Sequence, residues 1–245
     1  MKPTLRGFFI TGADTEIGKT LITALLTLGL RRKGISCCPV KPIASGGVLA
    51  DEALVSEDAL TYRRLAQCAE PATVLNPLCF RLPASPHFAA ESEGRRIDPH
   101  SLLPSLSRLA ERYEILLVEG VGGWLVPITY EYLVADFARE LGLPVILVSA
   151  NRLGTINHTL LSLASIRAYG LEPAGVMMTK PVAGEPTPME MNNIETIERI
   201  GKIDILGQVP FLEPDDVTGT DQERLWNKIK ETIRWERLLQ KLHTP

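Results

Sequence analysis

The stretch Gly12-Ala13-Asp14-Thr15-Glu16-Ile17-Gly18-Lys19-Thr20 has the residue types and spacing that hold a chain of phosphates. An apolar run at 8–11 precedes it and a segment of helical period follows, the strand–loop–helix setting that a phosphate-binding loop requires. There, backbone N–H groups of the loop and helix N-terminus surround phosphate oxygens. Lys19 reaches the β- and γ-phosphates, and the Thr20 hydroxyl is a ligand for magnesium. Counted from Gly12, five residues precede Gly18 where the usual pattern has four; counted from Ala13 there are four, with alanine in place of the first glycine. Gly18-Lys19-Thr20 is intact either way. Two more charged groups stand where chemistry is done in a parallel sheet. Glu119 ends the apolar run at 115–118, and its carboxylate suits magnesium, while Gly120 and Gly122 after it let backbone approach a ligand. Lys41 closes a strand-like run at 36–41, at the carboxyl end that lines the ligand crevice. Taken alone, it is equally a solvated loop lysine.

The elements that must hold these residues alternate along the chain. Short apolar runs at 8–11, 36–41, 115–118, 145–148, 174–178 and 205–209 read as strands, and segments at 19–33, 57–68, 102–113, 132–141 and 155–169 as helices. This is the signature of an α/β fold of the P-loop NTPase type, a mostly parallel sheet flanked by helices. Gly29 weakens the first helix slightly. The stretch 70–99, with Pro71, Pro77, Pro83, Pro86 and Pro99, reads as a long loop region, and 221–242 as one polar C-terminal helix. At 245 residues, with no linker, repeat or low-complexity tract, the chain is expected to be a single domain over 1–245.

Composition narrows the partners. The net charge of −3, from 26 Lys plus Arg against 29 Asp plus Glu, supplies no field for nucleic acid or an anionic membrane, so a small molecule is the expected partner. No cleavable leader follows the first residues, and no apolar run approaches the roughly 20 residues of a membrane-spanning helix, so a cytoplasmic location is expected. Cys37, Cys38, Cys68 and Cys79 have no metal or redox spacing and read as small buried hydrophobes.

Four separated blocks together resemble the dethiobiotin synthetase family: Thr11 to Thr20; Lys41-Pro42-Ile43-Ala44-Ser45-Gly46; Val118-Glu119-Gly120-Val121-Gly122-Gly123-Trp124; and Leu153-Gly154-Thr155-Ile156-Asn157-His158. The family's phosphate loop has the same longer spacing, and the blocks occur in the family's order across most of the chain. The resemblance implies ATP as co-substrate with Mg2+, and ring closure on 7,8-diaminopelargonic acid with CO2. It implies that Lys41 and Lys19 are catalytic, Lys41 stabilising negative charge on a carbamate and on the transferring phosphoryl group. Nucleotide contacts are implied for Thr15, Glu16, Ile17, Gly18, Lys19, Thr20, Leu21, Asp58, Glu119, Gly120, Val121, Gly122, Thr179, Lys180, Pro210, Phe211 and Leu212, and substrate contacts for Thr15, Ser45, Gly154 and Thr155. The implied metal ligands are Thr20, Asp58 and Glu119, although an acid at the position of Asp58 is also a routine helix-start residue.

Gly154-Thr155 opens a helix whose free N–H groups suit a substrate carboxylate, and the resemblance implies that this anchor is reached across a homodimer interface. His158 on that helix reads as packed at the interface rather than catalytic; His87 matches a family element but is given no chemistry. The chain departs from the family at Thr179, where asparagine commonly reads adenine. A threonine lacks the amide's paired donor and acceptor, so looser nucleotide selectivity is expected. A partitioning-ATPase-like nucleotide switch is the alternative from another class. That group carries a second lysine early in its phosphate loop, and positions 12–18 here hold none.

Overall fold

The computed structural model describes residues 5–50, 52–219 and 221–242. Among these, six strands form one parallel sheet: β1 (Gly7–Gly12), β2 (Cys37–Val40), β3 (Ile115–Glu119), β4 (Val145–Ala150), β5 (Pro173–Thr179) and β6 (Ile205–Val209). Their spatial order is β6-β5-β4-β1-β3-β2. The longer helices are α1 (Lys19–Arg32), α2 (Glu57–Leu65), α3 (Pro86–Ser92), α4 (Leu103–Ala110), α5 (Val134–Leu141), α6 (Thr155–Ala168), α7 (Pro188–Gly201), α8 (Gln222–Ile229) and α9 (Trp235–Lys241). Helices cover both faces of the sheet, so β1, β3 and β4 are buried along their whole lengths and read as continuous apolar runs rather than alternating ones.

Strand order positions the site. β1 lies between β3 and β4, and the chain leaves β1 toward β2 on one side and later crosses to β4 on the other. The crevice at such a switch point opens at the carboxyl ends of the strands. Register does the rest: Ile10 pairs with Glu119 and Val40 with Val118. Gly12, Glu119 and Lys41 therefore emerge side by side from three adjacent strands.

Several elements differ from the sequence reading, each for a local reason. The proline-rich stretch 70–99 is not loop throughout. It contains the helical turn Ala72–Leu75, the strand Leu78–Cys79 paired with Ile43–Ala44, and α3, whose first residue is Pro86, where a missing N–H costs nothing. The sequence reading places no helix or strand at 180–204, yet α7 is there. Its start was legible: Thr187 accepts the Glu190 N–H while the Glu190 carboxylate accepts the Thr187 N–H, with Pro188 at the first helical position.

The helix expected at 221–242 is broken in two. Between α8 and α9 the chain pairs with the edge of β6: Arg234 N–H donates to Leu206 O at 2.7 Å, Gln208 N–H to Thr232 O at 3.1 Å, and Ile233 bridges Gly207. Pairing an exposed strand edge outweighs continuing a polar helix. Trp235 then packs on α1 at Gly29, where a Cβ would lie 1.9 Å from the indole. The glycine that weakens α1 in isolation is thus the seat for Trp235.

Cys37, Cys38, Cys68 and Cys79 are free and buried. Among the described residues, no helix is long and apolar enough to cross a membrane.

Candidate active site

A cleft of about 680 Å³ opens at the carboxyl ends of β1, β3 and β2. Of the residues expected to contact nucleotide or substrate, it is lined by Thr15, Glu16, Gly18, Lys19 and Thr20 from the loop after β1, by Lys41 and Ser45 after β2, and by Asp58, Glu119, Val121 and Gly122. The phosphate loop turns into α1 through Gly18, whose φ of 90° lies in the left-handed region where a side chain is strained. Lys19 is buried, and its Nζ donates to the carbonyl of Asp14 at 3.0 Å, closing the loop on itself. Burial pulls the Lys19 ammonium below its usual value, against the attraction of Glu119.

Thr20, Asp58, Glu119 and Lys41 meet at the cleft floor. Lys41 Nζ lies 2.7 Å from Asp58 Oδ2 and 3.0 Å from Glu119 Oε1. The Thr20 hydroxyl contacts both carboxylates, at 2.9 Å for Glu119 Oε1. Having a single proton, it donates to one of them at a time. Burial lowers the Lys41 pKa, but the Glu119 and Asp58 charges outweigh it and hold the ammonium above the ordinary lysine value. Ser56, not Asp58, caps α2: its side chain accepts the Ala59 N–H at 3.1 Å, and Asp58 is free to face the cleft.

These oxygens converge on a point already occupied by a cationic group, and they are the hard donors that suit magnesium. Among the described residues, no cluster of three or more His, Cys, Asp or Glu side chains is arranged to hold a metal. Two carboxylates and a hydroxyl fit Mg2+ better than a closed cage does, because that ion keeps several waters and shares phosphate oxygens.

Two residues that the sequence reading missed complete the cluster. Glu119 is fully buried, and its second oxygen, Oε2, accepts from the Tyr62 hydroxyl at 2.5 Å and lies 2.9 Å from Thr23 Oγ1, whose single proton is shared with the Lys19 carbonyl, also at 2.9 Å. Tyr62 stands four residues after Asp58 on α2 and Thr23 three after Thr20 on α1, so helical spacing alone put each pair on one face. Burial, and then the Glu119 and Asp58 charges, hold the Tyr62 phenol well above its usual value.

The remaining expected residues lie off the cleft. Ile17 is buried beneath the loop and Leu21 is half-buried on α1. Gly120 lines a small apolar void behind Glu119. Thr179 donates its hydroxyl to Ile17 O at 2.9 Å, supporting the loop from behind. Pro210, Phe211 and Leu212 follow β6. Gly154 caps α6, and Thr155 turns inward, its hydroxyl 2.8 Å from Ser149 Oγ. The Thr155 N–H is taken by Arg152 O at 3.1 Å. His158 is exposed on α6, and His87 packs edge-on against Tyr130 with ring centroids 4.9 Å apart.

Lys180, expected near nucleotide, is committed elsewhere in this structure. Its Nζ lies 2.7 and 2.8 Å from the two Glu190 oxygens, tying β5 to α7. Lys180 and then the Thr187 N–H hold the Glu190 carboxyl down at about 2, from an ordinary 4.5. The folded state binds that proton less tightly than the unfolded chain. Its contribution to stability is therefore complete above about pH 4.5 and is lost as pH falls towards about 2. Thermal melts of Glu190→Gln should show a deficit against wild type at neutral pH that shrinks through this acid window. A deficit of constant size there would contradict the assignment.

A parallel sheet with a phosphate loop between β1 and α1, and a lysine after β2 held by one carboxylate at the end of β3 and another on α2, defines a P-loop α/β nucleotide-binding protein. A family described as an AAA domain matches residues 6–216. The fold is shared with a ParA family ATPase from Chlorobium tepidum, at 14% identity and a TM-score of 0.54 over 98% of this chain and 100% of that one. It is shared also with the MinC:MinD cell division protein complex of Aquifex aeolicus, at 15% identity and a TM-score of 0.53 over 97% and 94%. In sequence the chain is 38% identical over 222 residues to the ATP-dependent dethiobiotin synthetase BioD of Halalkalibacterium halodurans, covering 90% of each. To the same-named protein of Aromatoleum aromaticum it is 39% identical over 212 residues, covering 86% of this chain and 93% of the relative. The chain belongs to the ATP-dependent dethiobiotin synthetase family.

Proposed function

We propose that this chain uses ATP and Mg2+ to close the ureido ring of 7,8-diaminopelargonic acid with CO2, giving dethiobiotin, ADP and phosphate. The observation that carries the reading is the Lys41 ammonium, buried between Glu119 and Asp58 beside the phosphate loop in one cleft. One substrate amine takes up CO2 as a carbamate, and a carbamate oxygen attacks the γ-phosphorus as the bond to ADP breaks. The second amine attacks the carbonyl carbon of the resulting mixed anhydride, loses its proton and expels phosphate. Negative charge gathers on the carbamate and the transferring group, and the Lys19 and Lys41 ammonium groups are the donors for it. Thr20, Asp58 and Glu119 are the residues that would hold Mg2+, which when bound neutralises phosphate charge. Ser45 and Thr15, on the cleft wall, are available to substrate hydrogen bonds.

Gly154 and the first turn of α6 lie outside the cleft in one chain, which supports an active homodimer in which one subunit completes its partner's site. Incubating the protein with diaminopelargonic acid, bicarbonate, Mg2+ and ATP should yield dethiobiotin by mass spectrometry. Sedimentation at the same concentration should give a dimer. Absence of the product, or a fully active monomer, would refute the corresponding half of the reading. The partitioning-ATPase alternative gains nothing from the shared fold, because likeness at 14–15% identity shows architecture alone.

Nucleotide choice is expected to be loose. The Thr179 hydroxyl proton is spent on Ile17 O, leaving only lone pairs where an amide would both donate and accept. A missing two-point contact costs on the order of 1–3 kcal/mol, roughly ten- to a hundredfold in affinity. Comparing kcat/KM for ATP, CTP and GTP should show modest preference in wild type and a stronger one for ATP in Thr179→Asn. A strong wild-type preference for ATP that the substitution leaves unchanged would mean that other groups read the base.

A further inference from the structure

We propose that Tyr62 is a positioning residue of the cation site, a strut that fixes the Glu119 carboxylate relative to Asp58; this rests on reading Thr20, Asp58 and Glu119 as the magnesium ligands. Glu119 divides its contacts by oxygen. Oε1 faces Thr20 at 2.9 Å and Lys41 at 3.0 Å, on the cleft side. Oε2 faces away and accepts from Thr23 at 2.9 Å and Tyr62 at 2.5 Å. The terminal torsion of a glutamate is broad and soft, so the carboxylate plane is set by whatever donors its oxygens find. Thr23 divides its one proton between Oε2 and the Lys19 carbonyl, also at 2.9 Å, so the phenol is the donor that holds Oε2 and leaves Oε1 aimed at the cleft before any ligand arrives.

The two donors are not equivalent. Thr23 belongs to α1, the helix that also carries Thr20. Tyr62 belongs to α2 and lies on the face that presents Asp58, four residues earlier. Its ring is fully buried and has few rotatable bonds, so the phenol reaches Glu119 as a rigid arm. A hydrogen bond from α2 to the end of β3 therefore couples the positions of the two carboxylates, which come from elements far apart in the chain. A tyrosine with a purely packing role needs no such partner and leaves the cation affinity of the folded protein untouched when its hydroxyl is removed.

Tyr62→Phe keeps the ring and removes the donor. The measurement is the Mg2+ dissociation constant, by calorimetry, of the full-length protein saturated with a non-hydrolysable ATP analogue, with Mn2+ binding by electron paramagnetic resonance as a second probe. Glu119→Gln is measured in parallel, with melting temperature as a control on folding. The expected result is metal binding weakened roughly 10–100-fold in Tyr62→Phe, the usual cost of losing a ligand's supporting hydrogen bond, with metal-free affinity for the analogue unchanged. Turnover should recover in part as Mg2+ is raised. A folded Tyr62→Phe with wild-type metal affinity, beside a Glu119→Gln that has lost it, overturns the role of Tyr62 and leaves the cation site standing. Wild-type affinity in Glu119→Gln overturns the cation site and the strut together. If Tyr62→Phe does not fold, 3-fluorotyrosine placed at position 62 strengthens the donor without removing it. Tighter Mg2+ binding is then expected, and unchanged binding overturns the proposal.

Discussion

Replacing Lys41 with alanine is expected to reduce kcat/KM by at least about 10³-fold, mostly through kcat. Removing one donor aimed at transition-state charge commonly costs about 10²–10³-fold, and Lys41 is a full charge in a buried setting. Because Lys19 and the phosphate loop are untouched, KM for nucleotide should change little, the pattern of a group acting in the transition state. The same substitution should also cost stability, since it leaves fully buried Glu119 facing Asp58 without the ammonium between them. Breaking a buried ion pair costs about 3–5 kcal/mol. The low end, about 3, applies here because the Asp58 side chain is 23% exposed and Glu119 keeps its Thr23 and Tyr62 donors. For a chain of this size that is a fall of about 6–12 °C in Tm. Steady-state kinetics and melting curves read the two effects separately, and added Mg2+ with nucleotide should restore part of the lost Tm. Near-normal turnover in a folded Lys41→Ala would remove Lys41 from the chemistry.

Lys19→Ala is expected to lose activity by a comparable factor, about 10²–10³-fold or more, but through both constants. In the proposed reading Lys19 has two roles. Its ammonium, desolvated and displaced below its usual pKa, would be the loop's cation for the phosphates, so KM for nucleotide should rise as kcat falls. Its bond to Asp14 O shapes the loop in the absence of phosphate. Lys19→Arg keeps the charge but cannot fit a bulkier planar head where Nζ is buried against the loop, so it should not rescue. Kinetics at saturating ATP, compared with kinetics at low ATP, separate the two constants. An unchanged KM for nucleotide in Lys19→Ala would show that the backbone N–H groups alone hold the phosphates.

The sequence by itself determined the parts of this protein that depend on neighbours along the chain. A strand, a loop with Gly18-Lys19-Thr20 and a helix are consecutive, so local periodicity and the glycine reveal them together. Lys41 and Glu119 were legible as candidates for the cleft because each ends an apolar strand, and the carboxyl ends of parallel strands converge on one crevice, although Lys41 taken alone reads equally as a solvated loop lysine. The start of α7 is also written locally, in Thr187-Pro188 and Glu190.

Tertiary structure alone decided which of these residues touch. Thr20 meets Glu119 across 99 positions of sequence, Lys41 meets Glu119 across 78, and Thr179 reaches Ile17 across 162. Those distances are set by strand order and register, and every buried strand of a parallel sheet presents a similar apolar run, so the pattern does not specify its neighbours. The same ambiguity hid the Tyr62 bond to Glu119 and the Lys180 ion pair with Glu190. It also hid the break between α8 and α9, where a distant strand edge offers hydrogen bonds that no helical periodicity at 221–242 encodes. Buried polar groups must find partners somewhere, and only the folded chain determines which partners lie within reach.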